Sequence, residues 1–275
     1  MVFLRRVDVA WLAGLVALLG AEARCTPRGP ETPRANPQRQ SQSEYDLARD
    51  YFYHGQPRLA LDHCRKAIEF DDQNAKALYF ASTIHLFFCS GKLELREPDC
   101  HLTDAENYVR GALRAEGNFR EAKNTLGQIL ILESRYAEAI AILAPLTKDP
   151  AFESSYLAWG NLGWAQVLAG HVDEGIESLK NSITEPRFCV GHYRLGVAYE
   201  TKGDLAAAER SLTDALSVGA SDCKNLQDAW AARARVRKGL GNVADACDDL
   251  KRCRDLSAET AAGMACVTAL AKGCP

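Results

Sequence analysis

Apolar and small residues recur along this chain at helical spacing, in blocks with a period near 34 residues. Each block breaks in its middle at a glycine or a short polar turn. Trp159-Gly-Asn-Leu162-Gly163-Trp164-Ala-Gln166 leads to Gly170, and Tyr193-Arg-Leu195-Gly196-Val-Ala-Tyr199 leads to Gly203, Ala208, Leu212 and Ala215. Thr125-Leu126-Gly127 leads in the same way to Tyr136, Ala139 and Leu143. Apolar positions three and four apart mark one face of a helix, and a glycine just past such a run marks its end. Each block therefore predicts two antiparallel helices, the first carrying the Leu-Gly pair and the second opening near a small residue. Small residues let the two backbones approach; larger apolar ones fill the seam.

The cadence matches the W-x2-L-G-x2-Y…A-x3-F signature of tetratricopeptide repeats. The predicted fold is all-α: a solenoid of six helix pairs over residues 44–257, closed by a capping helix in 258–275. Repeat one runs from about Ser41 to Asn74. Repeat two starts near Ala75 and is interrupted by an insertion, Ser90 to His101, before its second helix with Ala105 and Ala112. Repeats three to five occupy about 120–153, 154–187 and 188–221, and repeat six about 226–257. Trp159 and Trp230 fill signature slots and are expected in the core. Such arrays are quasi-one-dimensional and build a long concave surface, so the chain reads as one that holds another protein.

The N-terminus does not follow this pattern. Arg5 and Arg6 precede an apolar run, Val9 to Ala21, that is too short for the roughly 20 residues a membrane span needs and fits the apolar region of a secretory signal. Residues 1–24 are read as a signal peptide. Ala21-Glu22-Ala23 offers an ordinary cleavage site, whereas Leu19 to Cys25 places Cys25 where a lipoprotein carries its lipid, with Arg24 a departure from the small residue normal there. Residues 25–43, rich in Pro, Gln, Arg and Ser, read as an extended tether.

Composition narrows the function classes. Of 275 residues 47% are hydrophobic and 25% charged, with a net charge of −3, so no basic footprint argues for nucleic acid. The chain shows no P-loop, G-x-G-x-x-G or G-x-S-x-G. His63 and His192 read as surface or edge residues, and acidic residues as solvated helix faces. No catalytic residue, cofactor or metal is assigned.

Ten cysteines in an exported chain invite disulfides. Antiparallel packing of the last two helices would set Cys253 against Cys266 and Cys247 against Cys274, because the position numbers of each pair add to nearly the same total. Cys89 and Cys100 bracket the insertion in repeat two. Cys189 and Cys223 each precede the first helix of consecutive repeats, on one edge of the stack. Each closure contributes roughly 2–4 kcal/mol. Cys64 occupies a seam slot and reads as a buried thiol. A rival zinc reading uses His85, Cys89, Cys100 and His101, but adjacent residues such as Cys100 and His101 seldom converge on one ion.

In such repeats the first helices line the groove. The positions projected onto it are Tyr79 and Phe87 in repeat two, Asn124, Gln128 and Ile131 in repeat three, Trp164 and Leu168 in repeat four, and Tyr193 and Val197 in repeat five. Repeat one adds Tyr45, Phe52 and Tyr53. The lining is mostly apolar and suits an amphipathic segment laid along it. Of residues able to grip a charged terminus, only Arg235, Lys238 and Asn124 stand out.

Three runs are more specific than the repeat itself: Ala122-Lys-Asn-Thr-Leu-Gly127, Trp159-Gly-Asn-Leu-Gly-Trp164 and Phe188-Cys-Val-Gly-His-Tyr-Arg-Leu-Gly196. With Cys223, Asp249-Leu250-x-x-Cys253, Gly263 and Cys266, they resemble the Tgl/PilW-type pilotins of type IV pilus systems. The resemblance covers the chain from about residue 44. It implies an outer-membrane lipoprotein of the periplasmic face, lipidated at Cys25, that binds the pilus secretin subunit through an amphipathic segment and assists its oligomerisation. Without the lipid the protein would be soluble in the periplasm. A periplasmic repeat scaffold that recruits cell-envelope enzymes is the alternative reading.

Overall fold

A computed structural model of the chain describes residues 36–89, 100–220, 223 and 225–274. Among these residues it contains thirteen helices and no strand. In chain order they are α1 Pro37–Tyr53, α2 Pro57–Phe70, α3 Ala75–Cys89, α4 Leu102–Ala115, α5 Arg120–Leu132, α6 Tyr136–Leu146, α7 Ser155–Leu168, α8 Val172–Ser182, α9 Cys189–Lys202, α10 Leu205–Ser217, α11 Gln227–Gly239, α12 Val243–Leu256 and α13 Ala261–Gly273. They pack as six antiparallel pairs with α13 laid against α11 and α12, a tetratricopeptide-repeat solenoid.

The expected signal segment 1–24, Cys25, the tether up to residue 35 and insertion residues 90–99 lie outside the described residues. One boundary needs correction. Residues 37–43, expected to be extended, form the first turns of α1. Asn36 caps that helix by accepting from the Arg39 amide at 3.1 Å, with Pro37 in the first turn. Proline is well suited there, because its fixed φ is helical and its missing N–H has no partner to lose.

One turn geometry joins the helices within five of the six pairs. The residue at the bend is left-handed: Gly55, Ser134, Gly170, Gly203 and Gly241, with φ between 60° and 89°. The next residue then donates its amide back five positions. Gln56 reaches the Tyr51 carbonyl at 2.9 Å, Arg135 reaches Leu130 at 2.8 Å, His171 reaches Gln166 at 2.9 Å, Asp204 reaches Tyr199 at 3.0 Å and Asn242 reaches Arg237 at 2.8 Å. This closure satisfies carbonyls that the helix end leaves unpaired. In the remaining pair the Cys89–Cys100 disulfide brackets the insertion and holds its ends 4.6 Å apart between Cα atoms.

Within a pair, the Leu-Gly slot sets the distance between helices. A Cβ built on Gly163 would stand 2.8 Å from the Gly175 carbonyl oxygen and 2.7 Å from Leu179 Cγ. One on Gly175 would stand 2.8 Å from the Gly163 carbonyl oxygen. The α7 and α8 backbones thus touch, and only glycine permits it. The seams themselves are packed with Ala48, Ala60, Ala105, Ala139, Ala208 and Ala246, all nearly or fully buried. A contiguous core runs from Leu78 through Val109, Leu126, Ile129, Leu130 and Leu143 to Leu162 and Ala165. Trp159 packs against it, but Trp230, expected in the core, is half-buried and borders an open hollow with Arg252, Asp255 and Leu256.

Three more disulfides staple the array. Cys189 pairs with Cys223, Cys247 with Cys274 and Cys253 with Cys266, at Cα separations of 5.8, 5.7 and 6.2 Å. The Cys89–Cys100 bond also removes two thiolate donors from the zinc alternative. Cys64 remains a buried thiol among Ala48, Ala60, Leu61 and Ile84, and burial pushes its pKa up to about 12.

Two polar features go beyond the sequence reading. His63 is half-buried at the edge of the α1–α2 pair and is partnered: its Nδ1 lies 2.5 Å from a Glu44 carboxylate oxygen, and its ring stacks on Tyr51 at 4.9 Å. Asp249 is buried rather than on a solvent face. It accepts from Arg233 at 2.9 and 2.7 Å and from Arg237 at 2.9 Å. Arg237 also donates to Glu209 at 2.9 Å, so the cluster ties α10, α11 and α12 together.

The seam contact has a direct test. Gly163→Ala should cost about 1–3 kcal/mol through overpacking. Gly117→Ala, with nothing nearer than 3.9 Å to its added carbon, should stay within about 0.5 kcal/mol. Urea unfolding followed by circular dichroism reads both, and equal midpoints would contradict the close approach.

Candidate partner-binding groove

The first helices of successive pairs approach one another in a row, α3 to α5, α5 to α7, α7 to α9 and α9 to α11. This row forms the inner layer of the superhelix and presents one continuous face.

A polar spine crosses its middle. Asn161 on α7 donates from Nδ2 to Asn124 Oδ1 on α5 at 3.0 Å. Arg194 on α9 donates from one Nη to Asn161 Oδ1 at 2.8 Å and to the Gly160 carbonyl at 3.0 Å. The three helices are therefore bonded side chain to side chain, each amide oriented by the next. The Arg194 guanidinium also lies 5.9 Å from the centre of the Trp164 ring, within range of a cation–π attraction. Burial pulls its pKa down to about 10, so it stays charged at neutral pH.

The opening repeats carry an aromatic floor instead. Phe80 meets Tyr45 edge-on at 6.0 Å and Phe52 at 5.4 Å, and Phe52 meets Phe87 at 5.4 Å. Phe52, Tyr53 and Phe80 line an open hollow rimmed by Asp46, Arg49 and Asp50. Tyr53 is 89% exposed and Phe87 52%.

The residues projected onto the groove divide by burial. Phe87, Gln128 and Leu168 are exposed, and Asn124 belongs to the spine. Ile131 does not line the groove: it is buried in the core that also holds Leu162 and Ala165 of α7. On α5 it leans toward the next pair rather than outward. Tyr79 is half-buried against Phe119 at 4.8 Å, and burial raises its phenol pKa against a hydrogen bond with Thr125 that lowers it. Tyr193 and Val197 pack on the Ala208, Leu212, Ala232 and Val236 cluster, and burial pushes the Tyr193 phenol up to about 12. Trp164 is half-buried and packs against two core clusters at once, so it serves the seam as well as the face.

Two residues escaped the sequence reading, Asn161 and Arg194. Their signal was present: Thr125, Asn161 and Arg194 each stand directly before the Leu-Gly pair of successive repeats, a polar residue in one repeated slot. Arg235, which stood out as a charge-gripping side chain, is instead held by Glu200 at 3.1 and 2.9 Å. Lys238 borders a small apolar cavity beside Cys247 and Cys274.

The tetratricopeptide-repeat family profile matches residues 191–218. Anaphase-promoting complex subunit 7 of Arabidopsis thaliana is 27% identical over 111 residues, which cover 40% of this chain and 18% of that protein. The chain thus spans under a fifth of that relative. Among solved structures, PilW, described as a widely conserved type IV pilus biogenesis factor, aligns with a TM-score of 0.66 at 20% identity, over 82% of this chain and 98% of that one. Pseudomonas aeruginosa PilF aligns with a TM-score of 0.62 at 15% identity, over 84% and 98%. The anaphase-promoting complex assembly Cut9–Hcn1 aligns with a TM-score of 0.68 at 15% identity, over 86% of this chain and 43% of that one. These likenesses show the fold, that of a tetratricopeptide-repeat solenoid.

The division of the lining predicts a split in stability. Trp164→Ala should cost about 2–3 kcal/mol, because the ring bridges two clusters. Gln128→Ala and Leu168→Ala should each stay within about 0.5 kcal/mol. Chemical denaturation of the three variants checks this, and a silent Trp164→Ala would mean that the indole contributes to the face alone.

Proposed function

We propose that this chain is a non-enzymatic assembly factor of the cell envelope, a pilotin that holds a secretin subunit of a type IV pilus system in its inner groove and promotes its oligomerisation. The observation that carries the proposal is the inner face itself. Exposed aromatic side chains at one end, and a polar spine through the middle, offer a segment both apolar burial and directional hydrogen bonds. The Asn-Leu-Gly-Trp and Phe-Cys-x-Gly runs, and the alignment along nearly the whole length of two type IV pilus proteins, support the choice of partner. Four disulfides support an oxidising compartment.

Lipid attachment at Cys25 and residence on the periplasmic face of the outer membrane belong to the same reading. A lipid would hold the groove at the membrane where the multimer must insert, and the Pro-rich stretch before Asn36 would set its reach. Cys25→Ser should abolish incorporation of labelled fatty acid and release the protein into the soluble periplasmic fraction. Unchanged labelling would remove the anchor from the account.

The partner has its own test. Deletion of the gene should abolish detergent-resistant secretin multimers and surface pili, and the full chain should co-purify with secretin monomers from envelopes. Normal multimers in the deletion strain would sink the proposal. Envelope enzymes in the pull-down, in place of secretin, would assign the groove to a recruiting scaffold.

A further inference from the structure

Arg194 is unusual among the interior and half-buried arginines of this array. Arg110, Arg120, Arg135, Arg233 and Arg237 each face a carboxylate at 2.9 Å or closer. Arg194 forms no ion pair among the described residues. The two acceptors it does meet, the Gly160 carbonyl and the Asn161 amide oxygen, are neutral and are served by a single Nη. A guanidinium carries five N–H donors in a planar fork, and one taken out of water without a counter-charge is costly. Burial accordingly acts on its pKa without an acidic neighbour to offset it; the opposing contribution comes from Tyr193. The molecule nevertheless holds this side chain in place, through the spine on one side and the Trp164 ring on another. The charge is positioned but not neutralised.

We infer that Arg194 receives a carboxylate of the bound segment, an Asp or Glu side chain lying along the inner face. This rests on the groove reading above and adds the chemistry of one anchor point. A side chain fits better than a chain end, because the row of first helices continues past α9 to α11 and back to α3. A segment crossing Arg194 therefore has protein on both sides. The aromatic floor at Phe52, Phe80 and Phe87 would take apolar side chains of the same segment, which sets its polarity: apolar toward the opening repeats, acidic at the fifth. Arg235 does not compete, since Glu200 already holds it.

The test is an array of random 14-residue peptides, acetylated and amidated at their ends, probed with the full chain with its disulfides intact. Binders should share one acidic position, and changing it to Gln or Asn should weaken binding by about tenfold or more, as expected for loss of a charge-assisted hydrogen bond. In Arg194→Met that preference should vanish while the apolar positions persist, and Arg194→Lys should retain it in part. Thermal unfolding of both variants separates a lost contact from a lost fold. Binders that ignore the Gln exchange would overturn the carboxylate site and leave the groove standing. Binding only by peptides with a free C-terminal carboxylate would overturn the side-chain assignment. Binders unaffected by Phe87→Ala and Gln128→Ala, or no binders at all, would remove the groove and this inference together.

Discussion

The contact between α7 and α8 at Gly163 and Gly175 shows the constraint on which the architecture rests. A single helix pair has too little interior to be stable alone, so its two backbones must come close enough for the next pair to stack on a narrow, flat unit. Cβ atoms at this crossing would meet backbone oxygen at 2.8 Å. At Gly127 and Gly196 the room is taken by a side chain of the second helix instead, Leu143 at 2.6 Å and Leu212 at 2.5 Å from an added Cβ. Once each pair is that thin, the first helices line up in one row and the inner face follows from their succession. The groove is therefore a by-product of the seam.

That origin explains why the inner face is mixed rather than uniformly apolar. Residues that lean toward the neighbouring pair, such as Ile131, are taken into the core. The slot before each Leu-Gly pair lies between first helices, where a side chain can reach across to the next repeat. Thr125, Asn161 and Arg194 occupy it, and the last two hydrogen-bond across α5, α7 and α9. In a low-dielectric crevice such bonds also rank as register marks, since each amide has one orientation that satisfies both neighbours. At the closing end the same need for register is met by charge. Asp249 joins Arg233 and Arg237, and Gln227 Nε2 reaches the carbonyls of Cys253 and Ser257 at 2.5 and 2.6 Å.

What could be read from the sequence was what local chemistry dictates. The Leu-Gly slots were legible because close backbone approach restricts the residue type. The left-handed bends were legible at Gly55, Gly170, Gly203 and Gly241, though Ser134 holds the same geometry with φ 60°. Facing cysteines on antiparallel helices followed from position alone. The start of α1 is ambiguous in sequence, because a proline such as Pro37 suits an extended tether and, after a capping asparagine, equally opens a helix. Asp249 and His63 were not legible in the same way. Their environments are made by residues 12 to 19 positions away, on other helices, and no local pattern carries that information. Arg194 was marked only by its repeated slot, and its partners on α7 lie 33 and 34 positions away.

The central claim is that the inner face of the first helices holds the partner. Photo-crosslinking in intact envelopes tests it most directly, with a photoreactive residue placed at Gln128 or Leu168 on the inner row, and at Lys180 or Arg210 on the exposed outer helices. The account predicts one common adduct, a secretin subunit, from the two inner positions and none from the outer pair. The same adduct from Lys180 and Arg210, with silence at Gln128 and Leu168, would contradict it.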